Sequence, residues 1–256
     1  MRFVPAATLL ACFLTLLACF AGCVSHPALT DMTSCVPAGT LLLAGVDLDS
    51  LRAAPLFHKL PPAALTLAES YRTAQRLLVA WNGADVLIVI RGSAPGSTPV
   101  ARNLALMGSP ESLQGAVTQC RSGETGSPGL VDYAAKTAGP SPVWIAAKGG
   151  VTLPLTGNAR NLNRLFRKLE YMTLTVDLTT ILDVRIAVLG QSEQAARDFE
   201  ENLRGFLSLA SAAENRRPDI TRLLDSVQIR RSGVTASASL RIPADAIDAL
   251  IAPFAR

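Results

Sequence analysis

Two aspartates and one histidine early in the chain are the side chains best suited to acid, base or metal chemistry. Asp47 and Asp49 lie two residues apart at the end of an apolar run, where two carboxylates can contribute oxygen ligands to a cation site. Two ligands are too few for a complete site, so Asp49 is predicted to cap a short helix and Asp47 to be a loop acid. His58 stands beside Lys59 with no carboxylate or nucleophile as a neighbour, so it is predicted to be a surface histidine.

Four basic residues in the second half of the chain follow a helical spacing. The spacing places them on one helix face, opposite an apolar stripe. They are Arg160, Arg164, Arg167 and Lys168. Such a face can contact anionic lipid or an acidic partner protein, or it can simply be solvated. Binding to nucleic acid is not expected, because aromatic side chains, which stack on bases, make up only 5% of the chain.

Cys35 and Cys120 are the last two of the five cysteines in the chain. An oxidising compartment permits a disulfide between them. In a plain βαββαβ unit they would lie at opposite ends of the sheet, whereas an extra strand at Asn103–Met107 would reverse the next helix and bring them to the same end. The sequence therefore leaves two outcomes open: a disulfide, or two buried or free thiols.

The chain lacks the short motifs that would identify an enzyme. It has no nucleophile elbow, phosphate-binding loop, HExxH or CxxC motif, and its two histidines are too few for most histidine-based sites. The composition, 49% hydrophobic and 17% charged with a net charge of +4, is that of a folded protein. We expect no cofactor and no metal ion, and the missing motifs make catalysis less favoured without excluding it.

The first 23 residues have the pattern of a bacterial export signal. Arg2 is the only charged residue before an uncharged run over Phe3–Gly22. Phe20-Ala21-Gly22 precedes Cys23, and this resembles the lipobox of bacterial lipoproteins, although phenylalanine replaces the usual leucine. The resemblance implies that residues 1–22 are a signal peptide and that Cys23 becomes the lipidated, palmitate-bearing N-terminus. A plain secreted protein and an uncleaved anchor are the alternatives.

The residues after the lipobox indicate where the mature protein is held. Val24 stands where an aspartate would retain a lipoprotein in the inner membrane, so in a Gram-negative cell the resemblance implies an outer-membrane lipoprotein facing the periplasm. Residues 23–38, which include His26, are predicted to be the lipidated cysteine and a polar tether. A net charge of only +4 would not hold the protein to a membrane, so the membrane contact is expected through the lipid.

Short apolar runs alternate with helical patterns along the mature chain, which predicts an α+β fold. Asn82-Gly83 lies between two β-rich runs and indicates a hairpin with a type I′ turn. Ser109 and Pro110 predict the start of a helix, with Ser109 as the capping residue and Pro110 at the first helical position. The Gly-, Ser- and Pro-rich stretch Arg121–Pro142 is predicted to be a surface excursion. Two further hairpins are expected: Val143–Ala147 with Val151–Leu155, and Val227–Arg231 with Val234–Ile242.

Two short echoes suggest an internal duplication. They recur in nearly constant register, 82 and 83 residues apart: Leu104–Gly108 with Ile186–Gly190, and Gly150–Thr152 with Gly233–Thr235. We therefore predict two α+β halves, residues 39–148 and 149–256, each approximating a βαββαβ (ferredoxin-like) unit with a mainly antiparallel sheet. Another α+β sandwich is the alternative.

The mature region also resembles a group of exported bacterial proteins without a known activity. The resemblance rests on Val46-Asp47-Leu48 leading to Pro55-Leu56. It implies export and brings no function with it. From the sequence we predict a lipid-anchored envelope protein that binds a protein partner or another envelope component. An unrecognised envelope enzyme and an assembly component of a membrane complex are the alternatives.

Overall fold

A single ten-stranded sheet dominates the computed structural model, which describes residues 32–150, 166–213 and 218–251. The strands are β1 Leu42–Asp47, β2 Ala74–Trp81, β3 Val86–Gly92, β4 Thr98–Ala101, β5 Leu104–Gly108, β6 Val143–Lys148, β7 Leu169–Leu178, β8 Ile181–Gly190, β9 Gln228–Ser232 and β10 Thr235–Pro243.

The helices whose bounds lie within the described residues pack on both faces of this sheet. They are α1 Leu48–Ala53, α2 Pro62–Ser70, α3 Pro110–Ser122, α4 Pro128–Ala138, α5 Glu193–Ala213, α6 Pro218–Asp225 and α7 Ala244–Ile251, with one 3-10 turn at Phe57–Lys59. The predicted start of α3 is confirmed, because the Ser109 hydroxyl accepts a hydrogen bond from the Ser112 amide at 3.2 Å. None of the described helices is both long and apolar enough to cross a membrane.

The sheet is antiparallel throughout, and this confirms the predicted α+β class. Its strand order is β4-β5-β3-β2-β1-β6-β7-β8-β10-β9, and each of the nine pairings is antiparallel. The ferredoxin-like order is not found, because β1 and β2 are direct neighbours. The segment between β1 and β2 is helical, and Pro55 and Pro61 interrupt it. The chain therefore returns to the sheet end that it left, where Asp47 faces Arg76.

The predicted duplication is not confirmed. β5, which ends at Gly108, lies between β4 and β3, whereas β8, which ends at Gly190, lies between β7 and β10. The strand order is symmetric about the β1–β6 pair, since β1-β2-β3-β5 mirrors β6-β7-β8-β10, and this would match β5 with β10. The other echo includes Val151 and Thr152, which lie outside the described residues, as does the predicted strand Val151–Leu155. The predicted halves meet within the sheet, where β6 pairs with β7.

The front face of the sheet is the one that packs against α3 and α4. Its strands contribute large buried side chains, each stabilising the fold by roughly 1.5–3 kcal/mol: Leu43, Leu78, Leu87, Val89, Leu106 and Trp144. From α4, Leu130, Ala134 and Ala138 pack onto them at a spacing of four residues. The prediction of a surface excursion over Arg121–Pro142 was therefore wrong, because α4 lies within this stretch and buries one face of leucine and alanine side chains.

The back face packs against the remaining helices. Leu77, Ile90 and Leu178 of the sheet are buried with Leu48 and Leu51 of α1. On the same back face, at the other end of the sheet, α5 covers β8 and β10. A second cluster forms there from Val188, Ala196, Phe199 and Ala236. Both halves of the back face are therefore covered by helices.

A disulfide joins the start of the described chain to α3. Cys35 and Cys120 are bonded at an S–S distance of 2.02 Å across a sequence separation of 85 residues. Met32, Cys35 and Val36 are fully buried in the front core. The short segment before β1 is therefore part of the folded body.

Candidate functional site

The front face changes from apolar to polar at β7. Helix α4 reaches as far as β7, and no helix in the described part of the chain covers the front of β8, β10 and β9. Residues directly opposite each other on neighbouring strands share a face, so the registers define which side chains lie on the front. The front rows are Thr173, Ala187, Ser237 and Arg230; Thr175, Arg185, Ser239 and Gln228; and Asp177, Asp183 and Arg241.

These rows form the floor of a groove with a volume of about 570 Å³. Three guanidinium groups line it, from Arg185 on β8, Arg230 on β9 and Arg241 on β10. Hydroxyl groups of threonines and serines lie between them. One wall is the end of α4 with the loop Gly139–Ser141. We call this feature the arginine groove.

Asp183 organises two of the three arginines. Its carboxylate is 8% exposed and accepts hydrogen bonds from Arg185 Nη2 at 2.6 Å and Nε at 3.1 Å, and Arg241 Nε lies 3.5 Å away. The hydrogen bonds from Arg185 and the charges of both arginines hold the pKa of Asp183 below its usual value, against the effect of burial. Asp183 is therefore ionised at neutral pH and fixes the two guanidinium groups in place.

Arg230 is the least engaged of the three arginines. It is exposed at the edge of the sheet, and its side chain forms no hydrogen bond or ion pair with another residue in ranges 32–150, 166–213 and 218–251. With Asp177 and Asp183, the groove carries three positive and two negative side chains. One positive charge is in excess, and Arg230 carries it.

This arrangement is suited to holding anionic groups. A guanidinium group presents donors in a planar fork that matches a carboxylate or a phosphate with two hydrogen bonds. Arg185 and Arg241 keep 60% and 69% of their side-chain surface exposed, so they can contact a ligand while bound to Asp183. The neighbouring hydroxyls of Ser237 and Ser239 supply further donors.

A tyrosine pair supports the side of the groove nearest α4. Tyr133 of α4 stacks on Tyr171 of β7, with ring centroids 5.0 Å apart and planes inclined by 22°. Burial raises the pKa of Tyr133 to about 12, while its hydrogen bond with Thr173 opposes the rise. Tyr133 therefore stays protonated at neutral pH and has a structural role in the wall.

A smaller hollow of about 240 Å³ lies on the other side of the Gly139–Ser141 loop. Asp47 and Arg76 form an ion pair there at 2.9 Å, and each is about a quarter exposed. Trp144 lies beneath, against Gly45. Because the two charges neutralise each other, this hollow offers no net charge to a ligand.

A third hollow, of about 750 Å³, lies beside the disulfide. It runs between the edge strand β4 and the end of α3, and Val100, Leu104 and Val117 give it a mainly apolar lining. Arg121 is the one charged residue among those that line it. Nothing in this hollow concentrates chemical groups as the arginine groove does.

The predicted basic cluster is only partly within the described residues. Arg160 and Arg164 lie outside them, as do Cys23 and His26. Arg167 and Lys168 are exposed in the turn before β7. Lys168 Nζ pairs with Asp198 of α5 at 2.8 Å, and this hydrogen bond, with that of Gln194, lowers the pKa of Asp198. At least one of the four cations is thus engaged within the molecule.

The helix cap is Asp47, whereas the sequence predicted Asp49. Asp47 caps α1, since its carboxylate accepts a hydrogen bond from the Ser50 amide at 2.9 Å, whereas Asp49 lies in the first turn and pairs with Arg52 at 3.5 Å. The helix begins one residue after β1 ends, which is earlier than the sequence suggested. Within the described residues, no group of three potential metal ligands converges. His58 is exposed in the 3-10 turn.

Sequence reasoning missed the arginine groove. The signal was present in β10, where Thr235, Ser237, Ser239 and Arg241 alternate with apolar residues. This period of two is typical of a strand with one exposed face. The pattern indicates the strand but does not show which of its faces stays uncovered in the fold.

Comparisons with known proteins give information on the fold and on nothing else. No protein-family model matches the chain, and no curated protein matches it. Crystal form IV of TP0453 is similar in structure, with a TM-score of 0.51 and 11% identity, covering 88% of this chain and 96% of that one. Crystal form III of TP0453 gives a TM-score of 0.48 and 10% identity, covering 86% and 97%. At 11% identity, the likeness to crystal form IV supports the α+β fold alone.

Proposed function

We propose that this chain is a lipid-anchored bacterial envelope protein that binds an acidic partner protein in the arginine groove. One observation carries the binding role. Helices α3 and α4 cover the front of the central strands, whereas no described helix covers the front of β8, β10 and β9, where arginines and hydroxyls replace apolar side chains. An uncovered polar face with excess positive charge suits a ligand that brings carboxylates.

The electrostatics of the groove favour binding over proton transfer. Each carboxylate whose pKa is shifted in the described residues, at Asp183, Asp198 and Glu200, has a lowered pKa because of hydrogen bonds from arginine or lysine. An ionised carboxylate held by a cation is a poor general acid at neutral pH. The groove therefore supports recognition of a charged surface better than it supports acid–base catalysis.

The binding role is tested with a hexaglutamate peptide and the full-length protein in a non-ionic detergent. We expect measurable binding that weakens with added salt, and none with hexalysine. Arg230→Glu combined with Arg185→Gln should weaken the binding at least tenfold, since hydrogen bonds to charged groups contribute roughly 1.5–3 kcal/mol. Fluorescence anisotropy measures the affinity.

A matched control separates the groove from overall charge. Arg102→Glu combined with Arg72→Gln makes the same charge change at exposed positions, Arg102 lying by β4 at the opposite edge of the sheet. This variant should bind hexaglutamate nearly as the parent does. Equal loss in both variants would mean that the arginine groove is not the site.

The envelope location is tested at Cys23. Cys23→Ser should abolish incorporation of labelled palmitate and processing by the lipoprotein signal peptidase, because the serine hydroxyl cannot take the thioether-linked lipid. The parent should fractionate with outer membranes and resist washing in high salt, since several acyl chains give stable attachment. Fractionation and mass spectrometry of the mature N-terminus measure this. A mature N-terminus other than lipid-modified Cys23 would contradict the proposal.

A further inference from the structure

Strand β9 is an open edge beside the arginine groove. It pairs with β10 over Gln228–Ser232, and no described strand pairs on its other side. Four of its five residues are exposed. An edge strand presents a row of backbone N–H and C=O groups that another extended chain can bind.

The β9–β10 hairpin determines which of these groups point outward. Ser232 pairs with Thr235 around the two-residue loop Gly233–Val234, with Gly233 at a φ of 53°. The closing pair of such a hairpin is hydrogen-bonded, and bonded and non-bonded pairs alternate from there. The backbone groups of Gln228, Arg230 and Ser232 therefore point to β10, and those of Ile229 and Arg231 point outward.

The side chains of β9 divide between the two faces of the sheet. Gln228 and Arg230 lie on the front, in the lining of the arginine groove. Arg231 lies on the back, where its Nε contacts Glu200 of α5 at 3.0 Å. A strand added at this edge would therefore meet an engaged arginine on the back and an available one on the front.

We propose that an extended acidic segment of a partner protein adds to β9 as an antiparallel strand, with its alternate carboxylates over the arginine groove. This rests on the proposed function, because it takes the groove to be the partner site. An antiparallel strand continues the pairing found throughout the sheet. Its front-facing side chains would lie opposite Gln228 and Arg230, within reach of the groove's excess charge.

A second copy of this chain fits the same edge poorly. Pairing β9 with β9 about its centre would place Arg230 opposite Arg230, and like charges directly opposite each other destabilise a strand pair. The other edge, β4, spans Thr98–Ala101 and contains Pro99, which has no N–H to donate. The charges on β9 therefore favour an acidic strand from another protein.

The geometry gives a test that distinguishes strand addition from purely electrostatic binding. In an antiparallel pair, residues opposite Ile229 and Arg231 exchange backbone hydrogen bonds with β9, whereas residues opposite Gln228 and Arg230 direct their amides away. The probe is the capped peptide acetyl-Glu-Val-Glu-Val-Glu-Val-amide. When its glutamates lie on the front, its valine amides bind β9 and its glutamate amides do not.

Two methylated peptides with the same composition and charge are compared on the full-length protein in detergent. N-methylation of the valine amides should weaken binding at least tenfold, and N-methylation of the glutamate amides should change it less than threefold. Arg230→Glu should weaken binding of the unmethylated peptide at least tenfold. Anisotropy gives all of these affinities.

Each other outcome overturns the proposal in a distinguishable way. Equal binding of both methylated peptides, still dependent on Arg230, would exclude strand addition and leave the acidic-partner function intact. The reverse methylation pattern would exclude the antiparallel register. No binding of the unmethylated peptide or of hexaglutamate would overturn the proposed function as well. Dimers of the peptide-free protein in sedimentation, lost in Ile229→Pro, which removes an outward-pointing amide, would assign the edge to a second copy.

Discussion

Replacing Cys35 and Cys120 together by alanine is expected to lower the free energy of unfolding by about 4 kcal/mol. The bond closes a loop of 85 residues, and in the chain-entropy model a loop of that length contributes about 4 to 5 kcal/mol by restricting the unfolded chain. For a chain of this size the melting temperature should fall by about 10 °C. Calorimetry and urea unfolding of the oxidised protein measure both quantities.

Three controls separate the bond from the packing of its thiols. Either cysteine replaced alone should cost nearly as much as both, because the bond is lost in each case. Adding a reductant to the parent should reproduce most of the loss without any substitution. Alkylation of the unreduced protein should label neither Cys35 nor Cys120, and labelling of both would show the two free thiols that the sequence also allows.

Gly45→Ala is expected to destabilise the protein by about 3 kcal/mol. A Cβ atom at Gly45 would lie 2.2 Å from Cε2 of Trp144, far inside van der Waals contact. Trp144 is 7% exposed in the front core, so its ring has no free space to move into and must displace its neighbours. Urea unfolding followed by tryptophan fluorescence measures the loss and reports on the displaced ring.

The same substitution elsewhere provides the comparison. Gly115 lies in α3, and a Cβ atom added there would meet no atom within 4 Å beyond its own helix backbone and chain neighbours, so Gly115→Ala should stabilise the helix by about 0.5–1 kcal/mol. In a Trp144→Phe background, Gly45→Ala should cost less than in the parent, because the smaller ring leaves room for the methyl group. Equal costs in the two backgrounds would mean that the indole does not require the glycine.

Local chemistry made parts of this fold predictable from sequence. The Ser109-Pro110 helix start and the hairpin at Asn82-Gly83 are both present, since capping and turn formation depend on residues close together in the chain. Even there the turn differs from the prediction. Trp81 pairs with Val86 around a four-residue loop, and the Asn82 side chain accepts hydrogen bonds from the amides of Ala84 and Asp85 at 2.9 and 2.8 Å.

The features that depend on distant contacts could not be predicted in the same way. Gly45 is required by Trp144, which faces it from β6, and a single strand pattern does not contain that information. The arginine groove needs two facts together: the alternation in β10, which is local, and the end of the α4 cover at β7, which depends on the whole strand order. A short apolar–polar alternation is therefore predictable, while its role as a site is not.

The disulfide also decides how a mechanical load would pass through the molecule. A pull arriving from the chain upstream of Met32 reaches Cys35 after three residues and crosses directly to Cys120 of α3. Strands β1 to β5 lie inside the covalent loop, so tension cannot peel β1 from the sheet or extend these residues while the bond is intact. A partner gripping β9 would place the strain on the chain after Cys120. The first half of the sheet would then be shielded, and rupture would begin among the strands that carry the groove.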